Sequence, residues 1–338
     1  MFAALAWAGH NAAGALARRN IDVDFAFLAR TAGFDIPFKL AAWDSSDSYA
    51  RALWLAGLNT ALAAVLGIVL ATLLGLVVAL MRLSANPLAR WTARGAVELV
   101  RNTPQLLQIV FWYFAVLQTL PAPRVSHALG AGVFLNVRGL LLPAPTAAWF
   151  GPAVGMAILL LILGRRWWLR TAGVVALGAA LAGTGWELPA LRGFNFTGGW
   201  RLPPELLALV MGVGIYTSAF VAENIRASVA AVGHGQTEAA RSLGLSPRLT
   251  MRLVILPQAL RTLLPPLTSQ YLNVIKSTTL GAAIAYPEIL QIFARTVLNQ
   301  SGRAVEVMTI VLGLFLAVNL LVSAAMSRWD RRLQRDGR

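Results

Sequence analysis

EAARSLGLSPRLTMRLVILP, Glu238 to Pro257, is a charged, glycine-punctuated run set between strongly apolar segments. Glu238, Ala239 and Ala240 favour a helix, Gly244 or Leu245 ends it, and Ser246 followed by Pro247 supplies a cap and a proline near the next helical start. A second short helix is predicted from about Pro247 to Val254, stopping before Pro257. The pattern therefore reads as two short helices joined by a glycine corner. A helix over Gln236 to Leu243 is expected to expose small Ala240 with Gly244 one turn later, and to bring Glu238 and Arg241 together at i,i+3. So short a hairpin buries little apolar area alone, which suits a rigid knob seated in another protein's groove.

The surroundings of the knob belong to a membrane. Of 338 residues, 57% are hydrophobic and 13% charged, against roughly a quarter charged in soluble domains. A hydrocarbon core of roughly 30 Å takes about 20 helical residues to cross. Uncharged runs of that length cover Ala52 to Met81, Asn102 to Pro123, Gly139 to Gly164 and Val307 to Ser327.

Thr171 to Trp186 and Leu206 to Ala222 are shorter. The first borrows Trp167, Trp168 and Leu169, with Arg165, Arg166 and Arg170 reaching toward headgroups; the second begins at Pro203 and Pro204, where missing donors cost a helix little. The sixth crossing in chain order runs from Thr262 through Ile275 and past Lys276 into STTLGAAIAYP, where a charge must face protein or water. The expected fold class is all-α, a polytopic membrane bundle of about seven spans.

Charge orients it. Arg82, Arg90, Arg94 and Arg101, then Arg165, Arg166 and Arg170, then Arg226, Arg241, Arg248, Arg252 and Arg261, and finally Arg328 to Arg338, occupy alternate connections. The other connections are poorer in arginine, so the rich set is cytoplasmic and the C-terminus lies inside. The net charge of +15 belongs largely to these inward loops, and nucleic-acid binding is not the reading. The expected divisions are a mostly periplasmic segment over residues 1–51, a transmembrane domain over 52–328 carrying the hairpin at 236–257, and a basic cytoplasmic tail over 329–338.

MFAALAWAGHNAAGALA at the start is mildly apolar, too interrupted to span comfortably and without the basic opening of a secretory signal. The chain has no cysteine, which leaves no disulfide framework and no thiolate site. His10, His127 and His234 have no metal spacing, and no nucleophile and base are paired, so no catalytic residue and no metal site are expected.

EAARSLG, nine further residues and VILP resemble the coupling motif of ATP-binding cassette (ABC) import permeases, with Glu238, Ala239, Ala240, Gly244, Leu256 and Pro257 in their places, Arg241 within the motif and Val254 where the pattern has isoleucine. VELVRNTPQLLQIVFWYF and YLNVIKSTTLGAAIAYPEIL are similar to polar amino-acid uptake permeases, and the length and the extra spans at about 146–186 resemble the larger permeases of general L-amino-acid importers. The resemblance implies a type I ABC importer permease fold, alternating access, and docking of the hairpin in an ABC ATPase dimer. It also implies a second homologous permease in a heterodimer, a periplasmic amino-acid-binding protein, and a multi-pass place in a bacterial inner membrane. The chain has no GxxxxGK[ST] run, so ATP and Mg are expected in the partner ATPase and no cofactor in this chain. Those relatives have a helix before the region of Asn20, so a clipped start is expected, with eight spans in place of seven if that helix is restored; a functional shortened version is the alternative.

Candidates for the translocation route or its gate are Arg101, Asn102, Thr103 and Pro104 at the entrance of the second span, Glu223 and Asn224 after the fifth, and Lys276, Ser277, Thr278 and Thr279 in the sixth. Each also has a plainer reading. Arg101 to Pro104 anchor and cap a helix, Glu223 pairs with Arg226, and the hydroxyls after Lys276 repair backbone hydrogen bonds. An ion-driven secondary transporter and a non-transporting scaffold or receptor remain the alternative functions.

Overall fold

The computed structural model describes Trp7, Asn11 and residues 23–163 and 167–335. The N-terminal run as a whole, Arg165 and Arg166, and residues 336–338 lie outside the described residues. The chain divides into two compact units, one formed by residues 1–109 with 209–338 and the other by residues 110–208.

In the first unit, Ser48 caps helix α1 (Tyr49–Leu83), its hydroxyl accepting from the Arg51 N–H. The buried face of α1 includes Ala63, Gly67, Ala71, Gly75 and Ala79, small residues at four-residue spacing that let neighbouring backbones approach. Gly75 shows why: a Cβ there would stand 2.6 Å from Val221. Asn86 caps α2 (Pro87–Asn102), and Thr103 is extended, as a residue before proline must be. After Pro104 comes α3 (Gln105–Val110).

The second unit carries α3 onward through a π turn, Phe111–Val116, and a 3-10 turn ending at Thr119. Four strands follow: β1 (His127–Gly130), β2 (Val133–Asn136), β3 (Gly139–Leu142) and β4 (Ala144–Pro145). Then come α4 (Phe150–Leu163) and α5 (Trp167–Gly183), and strands β5 (Trp186–Glu187), β6 (Ala190–Arg192), β7 (Asn195–Thr197) and β8 (Trp200–Leu202). All pairings are antiparallel, in the orders β1-β2-β3-β8, β4-β5 and β6-β7.

The third span therefore begins at Phe150 and not at Gly139. Gly139 has φ +111 and a Cβ there would lie 2.0 Å from the Leu202 carbonyl oxygen, while Pro143 and Pro145 remove backbone donors a helix would need. The apolar run is spent on a strand pairing, which hydropathy does not distinguish from a helix.

Helix α6 (Pro204–Ala230) continues into the first unit, followed by α7 (His234–Ser242), the single turn α8 (Pro247–Leu249), a π turn Thr250–Ile255, and α9 (Leu256–Ser277). A 3-10 segment, Thr278–Ile284, ends at left-handed Ala285, and a second π segment, Leu290–Val297, leads through α10 (Leu298–Ser301) to α11 (Ala304–Arg335). Among the described residues, three helices are long and apolar enough to cross a membrane: Tyr49–Leu83, Pro204–Ala230 and Ala304–Trp329. Gln105–Thr119, Phe150–Leu161 and Trp167–Gly183 are shorter apolar helices. The fold is a helical membrane bundle with short strands in one set of connections.

Residues 23–51 join the core of the first unit. Phe27, Ile36 and Trp43 are buried with Leu55, Ile292 and Phe293. Beneath them α1 grips the break after α9. Asn59 donates to Phe38 O at 3.1 Å and Pro287 O at 2.9 Å, Thr60 Oγ1 accepts from Ile289 N–H at 3.1 Å, and Tyr286 Oη donates to Asn59 O at 2.9 Å. Glu288, fully buried, accepts from the N–H groups of Leu290 and Gln291, each at 2.7 Å, and so caps the next helical segment.

Replacing Asn59 with Leu leaves two main-chain carbonyls without their donor, at a cost of about 1–3 kcal/mol each. Thermal unfolding of the detergent-solubilised protein should show a lowered midpoint; an unchanged midpoint would remove the clamp from the account of stability.

Candidate functional site

The hairpin forms as two packed pieces with a defined corner. Helix α7 ends in a full Schellman arrangement: Gly244 N–H donates to Arg241 O at 2.9 Å and Leu245 N–H to Ala240 O at 3.1 Å, with Gly244 at φ +77. Ser246 then caps α8, its hydroxyl accepting from Leu249 N–H. Gln258 reaches back across the corner to Gln236 at 3.3 Å. Ala240, Thr250 and Ala259 form the inner side and are buried.

Two details differ from the sequence reading. Ala240 faces inward, at 3% exposure, because it is the small residue over which the returning segment closes. The second helix also does not stop before Pro257. The π turn hands on to α9 through Leu256 N–H, which donates to Met251 O, and Pro257 sits in the first turn of α9, where a missing donor is tolerated.

The outward surface comprises Glu238, Ala239, Arg241, Leu243, Gly244, Leu256 and Pro257. Leu243, which sequence reasoning passed over, is 81% exposed at the corner, the most exposed large apolar side chain among the described residues. Its signal was positional, since the residue before a Schellman glycine projects from the helix end. Glu238 and Arg241 make no ion pair with each other and both point to solvent.

The gate candidates fall into neighbouring groups. Glu223 accepts from Arg226 at 2.6 Å and 3.1 Å, and also pairs with Arg82 from the end of α1, a partner that the local spacing does not reveal. Arg101 lies over the Phe220 ring at 5.0 Å, one turn before Glu223 on α6. Asn102 and Pro104 are exposed, and Thr103 donates to Leu99 O at 2.8 Å. Gln108 clasps this turn through Val100 O at 3.0 Å. The side-chain amide nitrogen of Asn224 is buried without a hydrogen-bond partner.

Ser277 donates to Gln105 Oε1 at 3.0 Å, which joins the Arg101–Pro104 turn to the end of α9. Thr278 and Thr279 donate to the carbonyls of Ile275 and Lys276, each at 2.7 Å, so both hydroxyls serve the local backbone. Lys276 is exposed on the surface of this chain, and among the described residues the expected anionic or carbonyl partner is not found. The structure thus brings the second-span entrance and the sixth segment together, joins Glu223 to α1, and leaves the hairpin as a separate projection.

Residues 67–335 match the family described as binding-protein-dependent transport system inner membrane component. The chain belongs to this family. The permease is 44% identical to a protein named for amino-acid ABC transport, YhdX of Escherichia coli (strain K12), over 97% of this chain and 89% of the relative. It is 38% identical to the general L-amino acid transport system permease protein AapQ of Rhizobium johnstonii, over 97% and 88% of the two chains. Against the glutamate/glutamine/aspartate/asparagine transport system permease protein BztB of Rhodobacter capsulatus it is 34% identical, over 98% and 90%. A crystal structure titled as an amino acid ABC transporter with histidines shares the fold at TM-score 0.55 and 23% identity, covering 84% of the permease and 95% of that chain.

At Gly244 a Cβ would meet no atom within 4 Å, so the constraint is the left-handed backbone itself. Gly244→Ala should cost about 1–2 kcal/mol through that conformation, and amide exchange at Gly244 and Leu245 should accelerate by about 5–30-fold. Unchanged exchange would show that the corner is held elsewhere.

Proposed function

We propose that this permease carries L-amino acids from periplasm to cytoplasm by alternating access, driven by a separate ABC ATPase dimer that binds ATP and Mg. A second homologous permease completes the pathway as a heterodimer, and a periplasmic amino-acid-binding protein delivers cargo. The names of three relatives, each aligned along nearly the whole chain, support the substrate class. The charge asymmetry supports a bacterial inner-membrane placement with the hairpin and the C-terminus in the cytoplasm.

The observation that carries the coupling role is the hairpin itself. It is braced inside by Ala240, Thr250 and the Gln236–Gln258 bond, and it presents Leu243 bare at its corner. An apolar side chain on a capped turn, in a hairpin that also exposes Glu238, Arg241 and Arg248, fits a cleft on an ATPase as an anchor with a polar rim. Closure of the ATPases then moves the hairpin as one body with α9, because the π turn and α9 are continuous with it. Conformational work passes from the ATP site to the membrane by this contact, with no chemistry on the cargo.

Lys276 supports the position of the route. A lysine exposed on a membrane segment demands water or a partner chain, and the bonded turn of Gln105 and Ser277 sets it beside the second-span entrance. In this reading the Lys276 side of α9 faces the chamber shared with the second permease, and the Arg82–Glu223–Arg226 group holds the cytoplasmic ends of α1 and α6 together.

Reconstituted into proteoliposomes with its partners, Leu243→Asp or Glu238→Lys should reduce ATP-dependent amino-acid uptake about tenfold or more while membrane insertion and folding are kept. Full uptake by both variants would overturn the docking role. ATP-dependent flux of a different solute class, with amino acids inert, would overturn the cargo.

A further inference from the structure

Helix α2 has three faces. Ala93 and Val97 are buried, and Val97 packs with Ala79, Ala219 and Ala222. Opposite them, Leu88, Trp91, Gly95 and Leu99 follow one another at three- and four-residue spacing, and the three large residues are 73%, 79% and 71% exposed. Between these stripes run Arg90, Arg94 and Arg101. A helix with an apolar stripe on each side is not built for water.

Beside the arginine stripe is a cavity of about 590 Å³, lined by Arg82, Arg90, Arg94, Arg226, Glu98 and the Trp91 ring. Glu223 neutralises part of it through Arg82 and Arg226, and Glu98 accepts from Arg94 at 2.8 Å. Four guanidinium groups against the carboxylates of Glu98 and Glu223 leave two positive charges in excess. Arg90 spends one nitrogen on the carbonyls of Ser84 and Ala85, at 3.1 Å and 3.3 Å, and its other nitrogens are open to the cavity's mouth.

We propose that this cavity binds one acidic phospholipid, its phosphate held by Arg90 and Arg94 and its acyl chains lying along Leu88, Trp91 and Leu99. The charge complementarity calls for an anion, and the adjoining bare apolar stripe calls for an anion that carries hydrocarbon. The place is also where such a lipid resides. The cavity sits at the end of the long spans α1 and α6, on the arginine-rich side, where the inner leaflet supplies acidic headgroups. Because Arg82 and Arg226 line the cavity and also hold Glu223, a bound phosphate competes with Glu223 for them, so lipid occupancy couples to the ends of α1 and α6. The inference rests on the membrane placement of the permease and is independent of its cargo.

The test uses the purified transport complex in detergent, titrated with dioctanoyl phosphatidylglycerol or dioctanoyl phosphatidylcholine and read by native mass spectrometry. The phosphatidylglycerol adduct should be retained about tenfold better, and Arg90→Gln with Arg94→Gln should abolish that preference. Leu88→Ser with Leu99→Ser, on the exposed stripe, should weaken phosphatidylglycerol and leave inorganic phosphate without effect. Equal retention of the two lipids, or an undiminished preference in the arginine variant, would overturn the proposal. So would displacement of the lipid by millimolar inorganic phosphate, which would assign the cavity to a soluble anion. Loss of the ATPase subunits from the arginine variant with its lipid preference intact would assign the face to a protein partner instead. Uptake is not the readout, so an error in the cargo leaves these outcomes unaffected.

Discussion

A chain in hydrocarbon has no water to mend a broken helix, and this permease breaks one between α9 and the π segment that follows. Asn59 and Thr60, about three turns along α1 from its capped start, supply what water would have supplied. They bond Phe38, Pro287 and Ile289, and Tyr286 returns a bond to Asn59. Glu288 closes the set by capping the next segment from a fully buried position. The left-handed turn at Ala285 is held between these bonded groups. Every later element of the first unit, from the π segment to α11, takes its direction from that break.

The same economy of polar groups recurs at the other end of α1. Arg82 meets Glu223, and Arg226 meets it again from one turn along α6, so three charges at the ends of two spans satisfy one another. Between the two polar ends α1 is a rail of small side chains. Gly67 and Gly75 let Val274 and Val221 close in, so the middle is held by contact distance and the ends by hydrogen bonds. A bundle tied this way can rock as stiff pieces. That is the mechanical property a hairpin continuous with α9 needs if force applied at its corner is to reach the membrane.

Much of the hairpin was legible because its determinants are local. A glycine that must take φ +77, a serine cap and a proline in a first turn act within a few residues of themselves, and the helix boundaries follow. The inward turn of Ala240 was not, since its burial depends on the returning segment around Thr250 and Ala259. Nor was the continuation through Pro257, because a π turn leaves no composition signal. Among the gate candidates, the Glu223–Arg226 pair is three residues apart and was read correctly, whereas Arg82 lies 141 residues from Glu223, and Gln105 lies 172 from Ser277.

The amino-acid sequence by itself determined that this protein lives in a bilayer, where most of its spans begin and end, and that it carries a capped hairpin on its basic side. Hydropathy, glycine and proline act along the chain, and their consequences need no distant partner. Tertiary structure alone decided that Gly139 to Leu142 pairs as a strand, that Lys276 is left bare on the chain's own surface, and that arginines from three helices meet at one cavity. Each of those outcomes depends on which backbone or charge arrives from elsewhere in the fold, and apolar runs or single charges have the same local sequence whichever neighbour they meet.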